Sequence, residues 1–263
     1  MEQVLAQSPG PVIQMSGVTV GSMQDPTAVV LADVNWTVNA GDFWAVAGLQ
    51  GSGKSDFLMM SAGLMPPGSG RYSLFGEKMP IFDERRLLER LRLGLVFENG
   101  QLFNQLTIEE NLALPLRYHK NLTQWDAKSA VQAMLEATEL TPWADSTPGA
   151  LGMNWRKRAG LARALMLKPE ILLIDSPLAG LDLRHLYWWL DFLERLSKEH
   201  NLVCHEPLTL VVTTADLRPW VGFARQFAII KNKQLTVIGG RTQLKGAADE
   251  LVGEFLAIKR PNA

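Results

Sequence analysis

The sequence predicts an α/β fold with a mostly parallel, doubly wound sheet, and three observations carry that prediction. Phe43-Trp44-Ala45-Val46-Ala47 is an apolar run leading into Gly48-Leu49-Gln50-Gly51-Ser52-Gly53-Lys54-Ser55, with the apolar Phe57-Leu58-Met59-Met60 just beyond Asp56. Ile171-Leu172-Leu173-Ile174-Asp175 is a second buried-strand run, and it ends in a carboxylate. Elsewhere short β-rich runs alternate with helical periodicities, the pattern of strand-helix-strand units.

The first stretch is the strand, loop and helix of a phosphate-binding P-loop. Its glycines let backbone N–H groups close around phosphate oxygens, and the helix N-terminus favours negative charge. Residue types, spacing and flanks fit this better than a plain glycine-rich turn. Gly48 through Ser55 and the adjoining Asp56 are therefore candidate nucleotide contacts. Lys54 is expected at the outer phosphates and Ser55 on Mg2+.

At 263 residues and 47% hydrophobic content, the chain can bury a sizeable core. A net charge of −1 gives no electrostatic reason to expect a nucleic-acid partner. With Cys204 as the single cysteine, no intrachain disulfide forms, and a reducing compartment is the simpler expectation. Met1-Glu2-Gln3-Val4-Leu5-Ala6 lacks the start of a signal peptide, and no apolar run reaches membrane-spanning length. A soluble protein is expected, with any membrane role reached through a partner.

In order, Val12-Ile13-Gln14-Met15, Val18-Thr19-Val20, Ala28-Val29-Val30-Leu31 and Val34-Asn35-Trp36-Thr37-Val38 read as four short strands. The helix after Lys54 should end near Gly63, before Pro66-Pro67-Gly68. Arg71 to Gly76 reads as a strand and turn, Asp83 to Arg92 as a charged helix, and Leu93 to Phe97 as a buried strand. Thr107-Ile108-Glu109-Glu110 resembles a capping box, and Thr123 to Leu140 has helical spacing. Gly149 to Gly152 should be a loop, and Trp155 to Leu167 a basic helix closed by Pro169. A helix over Leu183 to Lys198, strands over Leu208 to Thr213 and Phe227 to Lys231, and a helix near Asp249 to Ala257 complete the chain.

Asp175 supplies the strand-terminal carboxylate that would hold Mg2+ through its water shell. With the P-loop, Gly94-Leu95-Val96-Phe97-Glu98-Asn99-Gly100-Gln101-Leu102-Phe103 and Arg163 to Asp182, it gives a landmark order that resembles an ATP-binding cassette (ABC) ATPase from about Val12 to Ile238. Val96 to Phe103 followed by Asn111 to His119 is most similar to ATPase subunits of MCE-type lipid transporters. The resemblance implies one ABC nucleotide-binding domain over 1–263. Its core would cover about 11–97 and 165–240, beginning with an antiparallel β subdomain; a helical subdomain would cover about 98–164 and a C-terminal helix about 241–263. It further implies ATP and Mg2+ as cofactors, and a membrane permease plus a second ATP-binding subunit, identical or different, as partners. Placement would be cytoplasmic, peripheral on the inner membrane through the permease.

Departures from the family pattern are as informative. The family's water-polarising glutamate after the strand-terminal aspartate is Ser176, which is a poor base near neutral pH. Its glutamine after the pre-insertion strand is Glu98, still able to ligate metal. Its γ-phosphate histidine is Ala215. The signature Leu-Ser-Gly-Gly-Gln aligns with Leu151-Gly152-Met153-Asn154-Trp155, so a hydroxyl is lost and Met153 and Asn154 place side chains where a close backbone approach is needed. No aromatic for stacking adenine occurs in Val18-Thr19-Val20-Gly21-Ser22. Losing a general base alone costs roughly a hundredfold to ten-thousandfold in rate.

The expected protein thus grips MgATP and hydrolyses it slowly or not at all. Two other readings stay open: a competent ATPase using a substitute carboxylate such as Glu98, and a non-transport protein using nucleotide as a switch. Arg156-Lys157-Arg158 reads as a solvated or phosphate-side face rather than a nucleic-acid patch. Tyr187-Trp188-Trp189 reads as core, with Trp188 or Trp189 available to a partner chain. Cys204, His205 and Glu206 lack the second ligand pair of a metal site.

Overall fold

The computed structural model describes residues 10–25, 27–79, 87–198, 207–246 and 250–256. Two sheets divide the chain. β1 (Ile13–Gly21), β2 (Val29–Val38), β4 (Ser69–Leu74) and β5 (Glu77–Lys78) form an antiparallel sheet in the order β2-β1-β4-β5. The second contains β3 (Phe43–Gly48), β6 (Leu93–Val96), β7 (Ile171–Ile174), β8 (Thr209–Thr214), β9 (Gln226–Lys231) and β10 (Gln234–Gly239), ordered β10-β9-β3-β8-β7-β6. All its pairings are parallel except β10 with β9.

The four short strands expected before the P-loop are two. Gly17 and Asp33, with φ of 60° and 51°, lie at irregularities that bend β1 and β2 without ending their pairing. β10 was not expected, although Leu235, Val237 and Ile238 are good strand formers; it is an edge strand with no buried residue. The parallel strands read correctly because both faces are covered. Along β3, Phe43, Ala45 and Ala47 face one core while Trp44 and Val46 face the other.

Helices cover the sheet. α1 (Lys54–Ser61) follows β3, and α2 (Leu87–Leu91) is the described part of the charged helix expected from Asp83, whose earlier residues lie outside the described set. α3 (Ile108–Lys120) opens on a full capping box made by Thr107 and Glu110, and α4 (Gln124–Ala137) on another made by Thr123 and Asp126. α5 (Met153–Leu165) begins two residues before the expected Trp155, because the extended Gly152 caps it and its carbonyl accepts from the N–H groups of Trp155 and Arg156. α6 (Leu183–Lys198) has the expected limits; α7 (Arg241–Gly246) and α8 (Glu250–Leu256) follow β10. No described helix is long and apolar enough to cross a membrane. Cys204, His200, His205 and Glu206 lie outside the described residues.

Candidate functional site

Parallel pairing brings the C-terminal ends of β3, β6, β7 and β8 to one edge: Ala47 pairs with Thr214, and Val96 with Ile174. Ligands of open α/β sheets bind outside such an edge. A cavity of about 550 Å³ lies there, lined by Gln50, Gly51, Gly53, Lys54, Ser55 and Asp56 on one side and by Glu98, Ser176, Ala179, Ala215 and Asp216 on the other. Gly53 has φ 92°, and a Cβ on it would fall 2.0 Å from Val30 Cγ1, so only glycine fits against β2. It caps α1 without a side-chain bond, which leaves the first-turn N–H groups to an anion.

The Lys54 ammonium is buried and folds back onto its own loop, donating to the carbonyls of Gly48 at 2.5 Å and Leu49 at 2.7 Å. Burial pulls its pKa below the usual lysine value, and the carboxylates of Asp175 and Glu98 oppose that effect. Ser55 Oγ donates to Asp175 Oδ2 at 2.5 Å. Asp175 Oδ1 accepts from Thr213 Oγ1 at 2.7 Å and from Ser176 Oγ at 3.2 Å, and Thr213 Oγ1 accepts the Ser176 N–H at 3.0 Å. Ser55, Glu98 and Asp175 also share a second, smaller recess. Hydroxyl and carboxylate oxygens are a hard donor set, and among the described residues no three His, Cys, Asp or Glu groups cluster into a self-sufficient cage. That set fits Mg2+, which keeps waters and takes phosphate oxygens beside one or two protein ligands. Ser52 Oγ is buried without a hydrogen-bond partner inside the loop, where a Cβ on Gly48 would collide with it.

Residues 31–179 match the family model described as ABC transporter. The chain belongs to the ABC transporter family. It is 32% identical over 227 residues to a probable sulfate/thiosulfate import ATP-binding protein of Chlorella vulgaris, covering 86% of this chain and 92% of the relative. It is 30% identical over 229 residues to the intermembrane phospholipid transport system ATP-binding protein MlaF of Haemophilus influenzae, covering 87% and 84%. A dimeric post-hydrolysis ATP-binding cassette bound to ADP and phosphate superposes with a TM-score of 0.75 at 27% identity, over 85% of this chain and 96% of the other.

Read as an ABC ATP-binding domain, the site has Ser176 beside Asp175, with φ 45° and its hydroxyl turned onto that carboxylate. Ala215 is exposed at the cavity and offers no polar side chain. Glu98 is exposed, lines both recesses and makes no hydrogen bond among the described residues. Asp216 lines the cavity, but Arg218 grips both its oxygens. In the signature segment Gly152 and Met153 are exposed, while Asn154 Nδ2 donates to Asp182 Oδ2 at 3.1 Å. These three lie apart from the P-loop cavity of their own chain. Near the expected adenine position, Ser22 is half-buried and Met23 exposed, with the Met23 N–H donating to Asp56 Oδ1 at 2.8 Å.

The basic run in α5 is not a solvated face. Lys157 is 2% exposed and Arg158 is 0% exposed. Arg158 lies against the rings of Trp155 and Trp188, with its Nη1 donating to Glu139 Oε2 at 2.8 Å. Arg163 donates to the carbonyls of Gly100 and Gln101, so α5 also holds the loop that carries Glu98. Sequence reading missed this because the partners of Lys157 and Arg163 are backbone carbonyls, which leave no residue-type signal. Trp189 is core as expected, Trp188 is half-buried against Arg158, and Tyr187 is exposed.

Proposed function

We propose that this chain is the ATP-binding subunit of a lipid-handling transporter, binding MgATP through Lys54, Ser55 and Asp175 with hydrolysis slow or absent. The observation that carries the reading is the state of Ser176. It stands where a base would polarise water, yet its hydroxyl is spent on Asp175. The lipid assignment rests on the MlaF relative.

An open groove of about 810 Å³, lined by Leu95, Phe103, Leu106, Leu114, Pro115 and Tyr118, lies between the Glu98 loop and α3. It supplies an apolar seat for a permease, and exposed Phe103 and Tyr118 would be covered there. A second ATP-binding subunit would face the Met153 side of α5. Calorimetry with MgATP alongside phosphate release tests the reading: micromolar binding with turnover no faster than that of Lys54→Ala is expected. Turnover comparable with ordinary transport ATPases, abolished by Lys54→Ala, would refute it.

One observation favours a second reading. Glu98 is a carboxylate at the cavity without a hydrogen-bond partner among the described residues, as a substitute base would be. Turnover that falls on Glu98→Ala would select it.

A further inference from the structure

Behind the cavity wall stands a cation that the P-loop does not provide. Lys157, in the second turn of α5, is buried, and its Nζ donates to the carbonyl oxygens of Ala179 at 2.6 Å, Ser176 at 3.2 Å and Pro177 at 3.5 Å. Ser176 and Ala179 themselves line the cavity, so the ammonium lies one backbone layer behind the surface facing Lys54 and the P-loop. No carboxylate lies within ion-pair distance of it among the described residues. A cage of neutral carbonyls orients a charge and solvates it without cancelling it.

Glu98 lines the cavity with Lys54, and Asp175 borders the adjoining recess; the charges of both favour the protonated form of Lys157 and of Lys54. Lys54 and Lys157 therefore share Glu98 and Asp175 before any ligand arrives, while Asp56 and the Arg218-paired Asp216 also line the cavity. A triphosphate without metal brings a large negative charge into that balance, whereas a triphosphate with Mg2+ brings much less. Through a low-dielectric wall, removing one cation must weaken the first more than the second.

We propose that Lys157 is a second fixed cation of the nucleotide site, a positioning residue that holds the Ser176 to Ala179 wall and offsets phosphate charge from behind it. The inference rests on the nucleotide-site reading above and adds to it a group that never touches the ligand.

The test is calorimetry on the full chain with ATP plus a chelator and, separately, with ATP plus Mg2+. Lys157→Gln, which keeps a hydrogen-bond donor and removes the charge, should weaken metal-free binding by about tenfold and MgATP binding by less than about threefold. Lys157→Arg should restore the wild-type ratio. Lys157→Met serves as a second neutral variant, and cooperative thermal unfolding establishes which variants are folded. Equal weakening in both titrations, or an arginine variant no better than glutamine, would reduce Lys157 to a packing role and overturn the proposal. So would two neutral variants that cannot fold while the arginine variant does. A wild-type protein that binds ATP under neither condition would overturn the nucleotide-site reading as well, whereas intact binding with an unchanged ratio would overturn this inference alone.

Discussion

Ser55 Oγ donates to Asp175 Oδ2 at 2.5 Å, tying the first turn of α1 to the end of β7 across 120 residues of sequence. Hydroxyl and carboxylate are thus already convergent where a divalent ion would be held between protein and phosphate. Asp175→Asn keeps the size and one acceptor oxygen, for Thr213, while its Nδ2 can donate to the Ser55 hydroxyl in place of the bond that Ser55 now donates; the charge is lost. Thermal stability should change by no more than about 1 kcal/mol, a typical net hydrogen-bond contribution. The tightening of ATP binding by Mg2+ should shrink by about tenfold, because a neutral oxygen is a poor partner for a hard cation. Titrating Mg2+ against a fixed ATP concentration checks this.

Ser176 offers a gain-of-function experiment. Its backbone is held by the N–H bond to Thr213 Oγ1, and its side chain lines the cavity, so a longer carboxylate there would project toward the phosphate position. Ser176→Glu should raise phosphate release by at least about tenfold, a lower bound on what a positioned base contributes. Ala215 and the altered signature segment keep it short of full activity. Phosphate release with Lys54→Ala as background is the readout.

The parts legible from sequence are those where residue type alone does the work. The turn from β3 through Gly48 to Ser55 into α1 could be read because glycines and a Lys-Ser pair between an apolar run and a helical one are a local signal, and the place of Asp175 at the end of β7 because an apolar strand ending in a carboxylate stands out. Thr107 and Glu110 announced α3 because their capping bonds are local. Lys157 and Arg158 gave no such signal: a lysine that donates to carbonyls 19 to 22 residues away looks the same in sequence as one in water. The joining of four short runs into β1 and β2 was hidden for a related reason. Gly17 and Asp33 read as turn residues, and only cross-strand pairing shows that they bend the strand without ending it.

Gly100 and Gly160 bring the Glu98 loop and α5 into backbone contact. A Cβ on Gly160 would lie 2.6 Å from Gly100 Cα, and one on Gly100 would lie 2.3 Å from the Arg156 carbonyl oxygen. Neither neighbour is a flexible side chain that can swing away. Gly160→Ala should destabilise the fold by about 1–3 kcal/mol, the usual cost of overpacking, despite alanine's better helix propensity. Urea unfolding should show a lower midpoint with an unchanged slope.

Arg158 and Glu139 make an asymmetric pair, the first fully buried and the second half in water. Removing the anion strands a buried cation, while removing the cation leaves a carboxylate that water can solvate. Glu139→Ala should therefore cost about 1–3 kcal/mol, below the usual range for breaking a buried pair because one partner is exposed. Arg158→Met, which keeps an apolar stem between Trp155 and Trp188, should cost less. If chemical denaturation ranked the two variants the other way, the ring contacts of Arg158 would outweigh its charge.

His185 should make the fold sensitive to acid. It is buried with its ring edge-on to Trp155, Nδ1 has no partner, and burial followed by the nearby Arg158 charge pulls its pKa below the ordinary 6.5. The unfolded chain titrates near the ordinary value, so below it the unfolded state binds the proton more readily and stability falls with falling pH. Above that value both states are neutral and the term vanishes. His185→Phe keeps an aromatic against Trp155 and removes the titration. Its melting temperature should match that of the wild type more closely at pH 7.5 than at pH 5.5, where the variant should be the more stable, and thermal unfolding across that range measures the difference.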